Sequence, residues 1–266
     1  MKLSENKALV IGVKNIKLKL RSWQSIFFSM GFPVMFTIMF YLMFHEVDPN
    51  TGIDLYSYSI PGSIIYATSI GTNGASISFS LEKSSGMLER LDTMPAERKN
   101  IFLGSLISES IFLTLQISLM FILGYAILGQ YFIGPFELFI GFLVSLIFGI
   151  LSVGIGIIIA SIAKNADVAN GISLLYGMPV IFASGAMVPF ESSIVYFMPP
   201  YWAKQIYLQF TVMGHGLSDK LYSSSLIGYT ATETNIPIWV GILILFAMTA
   251  IFITLGIKLF QRKTQL

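Results

Sequence analysis

The side chains best suited to meet a polar solute lie in two short lines. Ser69, Thr72, Asn73 and Ser76, continued by Ser80, fall within one face at helical spacing; Asn170, Ser173, Gly177 and Ser184 form a similar line later in the chain. Hydroxyls and amides at these intervals can bind a passing molecule or tie helices together. Glu109 stands alone as a carboxylate inside a long apolar run, with Gln116 two turns further along its face. Metal and thiol chemistry find little support. The chain has no cysteine, and its two histidines, His45 and His215, lie far apart without ligand-spaced partners. Nucleotide chemistry finds none: no Gly-x4-Gly-Lys occurs, and the glycine pairs at that spacing, 124/129, 129/134 and 149/154, are followed by Gln130, Pro135 and Ile155. No paired acids or His–Glu set lies within an apolar run, which argues against an intramembrane enzyme.

The elements that position these residues follow from composition. Hydrophobic residues make up 55% of the 266, charged residues only 11%, and the mean hydropathy is +0.75. A soluble domain carries about 25% charged residues, so the solvent for most of this surface is lipid. Six runs approach the roughly 20 residues that a helix needs to cross the bilayer core: 25–44, 60–81, 101–128, 136–163, 168–189 and 238–257. They lack the period-two alternation of barrel strands, so all-α spans are expected. Placing alternate loops on one side gathers fourteen of the sixteen basic residues there and leaves Lys204 and Lys220 opposite. The positive-inside rule then predicts both termini in the cytoplasm of a cell-membrane protein.

Ahead of the first span, Leu9, Val13, Ile16, Leu20 and Trp23 form an apolar stripe, with Lys7, Lys14, Lys17 and Arg21 on the other face. Residues 1–24 thus predict an amphipathic helix lying in the interface against anionic lipid headgroups; a soluble partner-binding helix is the alternative. Two connections are long, a cytoplasmic one at 82–100 and an external one at 190–237. Within the latter, 192–210 reads as a re-entrant or interfacial helix with a Trp/Tyr anchor. Together these make one membrane domain over 1–266.

Each candidate has two readings. The polar lines of the second and fifth spans either glue helices by hydrogen bonds or line a translocation path at a subunit seam. Ser152, Gly156 and Ala160 in the fourth span read as a small-residue packing face. Glu109 lies about 12 Å into its span, where it serves either as a proton or substrate contact or as a hydrogen-bonded packing residue.

The segment Glu82-Lys-Ser-Ser-Gly-Met-Leu-Glu-Arg-Leu-Asp-Thr-Met-Pro at 82–95 resembles the permease subunits of the type-2 ABC exporter family. In that family a short cytoplasmic helix after the second span carries a Glu-x-x-x-Gly-x-Leu-Glu-Arg-Leu pattern ending in proline. Glu82, Gly86, Leu88, Glu89, Arg90, Leu91 and Pro95 match, while Met87 replaces the usual threonine. Ser184-Gly-Ala-Met-Val-Pro-Phe-Glu at 184–191 is similar to the family's Ser-Gly-x-x-x-Pro signature at the exit of the fifth span. The resemblance implies six helices per subunit and a dimer, formed with a second copy or a homologous permease, around a central path. ATP-binding cassette subunits, which hold ATP and magnesium, would dock on the helix at 84–94. On that reading Glu82, Gly86, Leu88, Glu89, Arg90 and Leu91 couple to the ATPase, and Ser69, Thr72, Asn73, Ser76, Ser173 and Gly177 line the path. Ser184, Gly185, Pro189 and Glu191 belong to an external lid. No cofactor is expected in this chain and no nucleic acid among its partners. The expected function is outward movement of an amphipathic or apolar cargo. A secondary transporter or channel using Glu109, or a membrane assembly protein without transport, are the alternatives.

Overall fold

The computed structural model describes residues 7–21, 27–44, 55–84, 98–187, 192–223 and 232–263. Helix α1 spans Lys7–Arg21, and a π-helical turn at Phe27–Gly31 leads into α2, Phe32–Phe44. Helices α3 (Leu55–Ser84), α4 (Arg98–Phe121, prolonged by a π-helical turn at Ile122–Ile127), α5 (Pro135–Ile162) and α6 (Ala166–Ala183) follow. A 3-10 turn at Ser193–Phe197, α7 (Pro199–Leu208), a two-stranded hairpin and α8 (Ile238–Lys263) complete the chain.

Among the described residues, four helical segments are long and apolar enough to cross a membrane: Gly104–Ile127, Pro135–Ile162, Ala166–Ala183 and Ile238–Leu259. The other two expected runs are also helical, but differ from these four. Helix α2 has 13 residues, about 20 Å at 1.5 Å per residue. Helix α3 has 30 residues, and its many serines and threonines dilute its apolar character. Those polar groups sit inside the protein: Ser57, Ser63, Thr68, Thr72, Ser76 and Ser80 are all buried. Ser63 and Thr68 donate back to the carbonyls of Ser59 and Ile64, four residues earlier, so these hydroxyls need no water.

Helix α5 is the centre of the bundle, with α3 against one side and α8 against another. Lipid removes the hydrophobic drive between helices, and small residues that let backbones approach take its place. A methyl at Gly156 would lie 2.5 Å from the Thr72 carbonyl oxygen, and one at Gly256 would lie 3.0 Å from the Gly154 carbonyl oxygen. The expected packing face of Ser152, Gly156 and Ala160 is thus the surface that meets α3. Breaks between helices have local causes. Pro135 follows the extended Gly134 and opens α5, and Asn165 caps α6 by accepting from the Val168 amide at 2.9 Å.

Three placements differ from expectation. The inward side of α1 is polar: Asn15 is buried, and a methyl at Gly12 would lie 3.1 Å from the Gly104 carbonyl oxygen. Val10, Val13 and Leu20 face outward. Val13 and Leu20 of the expected stripe thus face away from the bundle, while Gly12, Asn15 and Lys19 dock the helix onto α4. Second, every residue of α7 is buried, so Tyr201 and Trp202 are core side chains rather than interfacial anchors; the Trp202 indole N–H donates to the Tyr196 carbonyl at 2.8 Å. Third, Lys220–Ser223 and Thr232–Pro237 pair antiparallel, Tyr222 opposite Glu233, within the long connection at 190–237, where no strand was expected.

Candidate functional site

Helices α1, α3, α4 and α6 enclose an open cavity of about 910 Å³. From α3 it receives Ser69 and Asn73, and from α6 Asn170, Ser173 and Gly177. Four of the six residues expected on a path therefore share one cavity. A methyl added at Gly177 would meet nothing within 4 Å, so this face of α6 borders open space. The other two expected residues are turned into packing beside it. Thr72 is buried, and Ser76 Oγ lies 2.6 Å from Ser173 Oγ and donates to the Asn73 carbonyl at 2.9 Å. The polar line thus divides within one helix: Ser69 and Asn73 border the cavity, while Thr72 and Ser76 are turned into packing.

Glu109 forms part of the cavity wall and is 1% exposed. Its Oε2 pairs with Lys19 Nζ at 2.5 Å, and the same ammonium lies 4.9 Å from the centre of the Phe112 ring. A buried pair of this kind gains Coulomb energy and loses hydration in comparable amounts, so its main effect is to fix where the two helices meet. The second contact is a triad. Asn15 Nδ2 donates to Glu82 Oε1 at 2.7 Å and reaches Ser105 Oγ at 3.0 Å; Ser105 Oγ donates to Glu82 Oε1 at 2.6 Å. Helices α1, α3 and α4 are joined at this point. The expected companion of Glu109, Gln116, donates from Nε2 to the Ala67 carbonyl at 2.8 Å and ties α4 to α3. Of the expected coupling residues, Glu82 is described here; Gly86, Leu88, Glu89, Arg90 and Leu91 lie outside the described residues, as does most of the helix expected at 84–94. Ser84 belongs to the last turn of α3 and donates to the Leu81 carbonyl at 3.4 Å.

At the other end of α6, Ser184 and Gly185 form a turn. Ser184 Oγ donates to the Ile181 carbonyl at 2.9 Å and accepts from the Ala186 amide at 3.3 Å. Gly185 has φ +71°, a left-handed value that favours glycine. The turn rests against α3 so closely that a methyl at Gly62 would come within 1.9 Å of the Ala186 carbonyl oxygen. The buried Lys204 of α7 donates from Nζ to the Gly185 carbonyl at 3.1 Å, and burial pushes its amine down to about 8. Pro189 and Glu191 of the expected lid lie outside the described residues.

Sequence periodicity overlooks Asn15, Lys19, Gly62, Gly74 and Lys204. A signal for the first two exists: Gly12, Asn15 and Lys19 recur at spacings of three and four on a helix otherwise apolar or basic. Gly62 and Lys204 carry no such signal, because their roles depend on segments distant in the chain.

A bundle of apolar helices around a largely apolar cavity with polar groups set into its wall is that of a multi-pass membrane protein. The chain belongs to the ABC-2 type transporter family, whose pattern matches residues 7–211. Over 171 residues it is 28% identical to the "Probable multidrug ABC transporter permease YbhR" of Escherichia coli K12 and, equally, to that of Escherichia coli O157:H7. The matched stretch is 60% of this chain and 46% of each relative, so the chain matches less than half the length of these curated relatives.

Proposed function

We propose that the chain is the permease subunit of an ATP-driven exporter, carrying an amphipathic or apolar cargo outward across the cell membrane. The observation that carries this reading is the cavity, in which Ser69 and Asn73 of α3 face the same open space as Ser173 and Gly177 of α6. Such an open space, largely apolar with polar side chains on facing helices, suits a path completed by a second permease copy or a homologous subunit. Six crossings, with α2 and α3 added to the four most apolar segments, keep both termini on the basic, cytoplasmic side. The segment 82–100 is then the dock for separate ATP-binding cassette subunits. Glu82, which is hydrogen-bonded into the bundle, anchors one end of it, and Gly86, Leu88, Glu89, Arg90 and Leu91 form the contact. On the opposite side the Ser184–Gly185 turn and α7 act as a re-entrant external lid.

The test is reconstitution of the chain with a cassette ATPase that copurifies with it. ATP should drive uptake of a lipophilic dye into inside-out vesicles, and the reversal Glu89→Arg with Arg90→Glu should uncouple uptake from hydrolysis or release the ATPase. Hydrolysis by the purified chain alone, or uptake driven by an ion gradient without ATP, would overturn the proposal.

A further inference from the structure

We infer that the cavity recognises cargo bearing an amine, an ammonium head on an apolar body. The inference rests on the reading of this cavity as the cargo site and names the class of molecule it takes. Two buried acceptor oxygens of wall residues, Glu109 Oε1 and Asn73 Oδ1, have no hydrogen-bond donor among the described residues. A buried acceptor left without a donor costs roughly 1–3 kcal/mol, more when it is charged, and a ligand with several N–H groups removes that cost. A hydroxyl brings one donor, whereas a primary ammonium brings three.

The wall carries two lysines, Lys14 and Lys19, and two glutamates, Glu82 and Glu109, so placement rather than net charge decides what binds. Lys19 holds Glu109 Oε2 and leaves the other carboxylate oxygen for a second cation. Gly74, the neighbour of Asn73, keeps this place open: a methyl there would already stand 3.5 Å from Glu109 Oε2 and 3.6 Å from Lys19 Nζ. The remaining wall suits an apolar body with a cation at one end, since Phe112 and Tyr66 border the same cavity as Ile70 and Met178. Lys14 also borders the cavity but is exposed, where water and salt screen its charge. An anionic head would gain no hydrogen bond from these two oxygens, which only accept.

The experiment uses the full chain, free of native cysteine, in nanodiscs with Gly177→Cys on the open wall of α6. Its modification by a water-soluble maleimide is measured against dodecylammonium, dodecanol and dodecyl sulfate. Dodecylammonium should protect at concentrations at least ten-fold lower than the alcohol, and the sulfate least of all. Glu109→Gln, made together with Lys19→Met so that no buried charge is left unpaired, should abolish the preference while the alcohol still protects. Gly74→Val, which leaves both charges in place and covers them, should do the same. Equal protection by all three amphiphiles, or an amine preference that survives both variants, would overturn the inference and leave the cargo cavity standing. A cysteine that no amphiphile protects, or that never reacts, would remove the cavity reading itself.

Discussion

Gly156 sets the distance between α3 and α5, because its missing side chain admits the Thr72 carbonyl. Gly156→Leu should lower stability by about 1–3 kcal/mol, the usual cost of overpacking, read as an earlier unfolding midpoint in detergent. The Ser76–Ser173 contact is of a different kind, one hydrogen bond between two helices. Intramembrane bonds of this type average about 0.6 kcal/mol, so a double-mutant cycle with Ser76→Ala and Ser173→Ala should give a coupling of that order. Lys204 adds a pH dependence. Its amine has a folded value of about 8 against an ordinary 10.5, so the unfolded chain binds the extra proton between those limits. Stability should therefore rise as pH increases from about 8 to 10.5. A Lys204→Met variant should flatten that slope in pH-dependent unfolding curves.

Helix α1 shows most clearly which part of the architecture the sequence carries. Its existence and its outward apolar stripe follow from three- and four-residue spacing. Its docking does not, since the partners Glu82, Ser105 and Glu109 are 67 to 90 positions away. The same limit applies to the Ser184–Gly185 turn, whose contacts with Gly62 and Lys204 come from other helices. The small-residue face of α5 was legible because lipid leaves backbone approach as the main packing device. The hairpin was not, as four to six residues per strand give too short a pattern to read. The docking of α1 is also testable. Lys19→Met alone strands the Glu109 carboxylate, for which removal of one partner of a buried pair costs about 3–5 kcal/mol. Amide exchange across α1 and the start of α4 should accelerate markedly in that variant, and adding Glu109→Gln should restore most of the protection.

For the whole molecule, the distribution of lysine and arginine makes a direct prediction about sidedness. Single cysteines replacing Lys220, Lys164 and Lys258 in the cysteine-free chain should separate cleanly: the first labels from outside intact cells, and the other two only after permeabilisation. External labelling at Lys164 or Lys258 would reverse the orientation. The buried, serine-rich surface of α3 has a consequence for how the protein is made. A helix with so many hydroxyls partitions weakly into lipid alone, and its stability in the bilayer comes from α5, which is synthesised later. During synthesis α3 should therefore linger at the insertion machinery until its partner emerges. A nascent chain ending near residue 100 should fail to hold its second crossing, whereas one extended past Ile162 should hold it; glycosylation-site mapping of chains stalled at those lengths reads the difference.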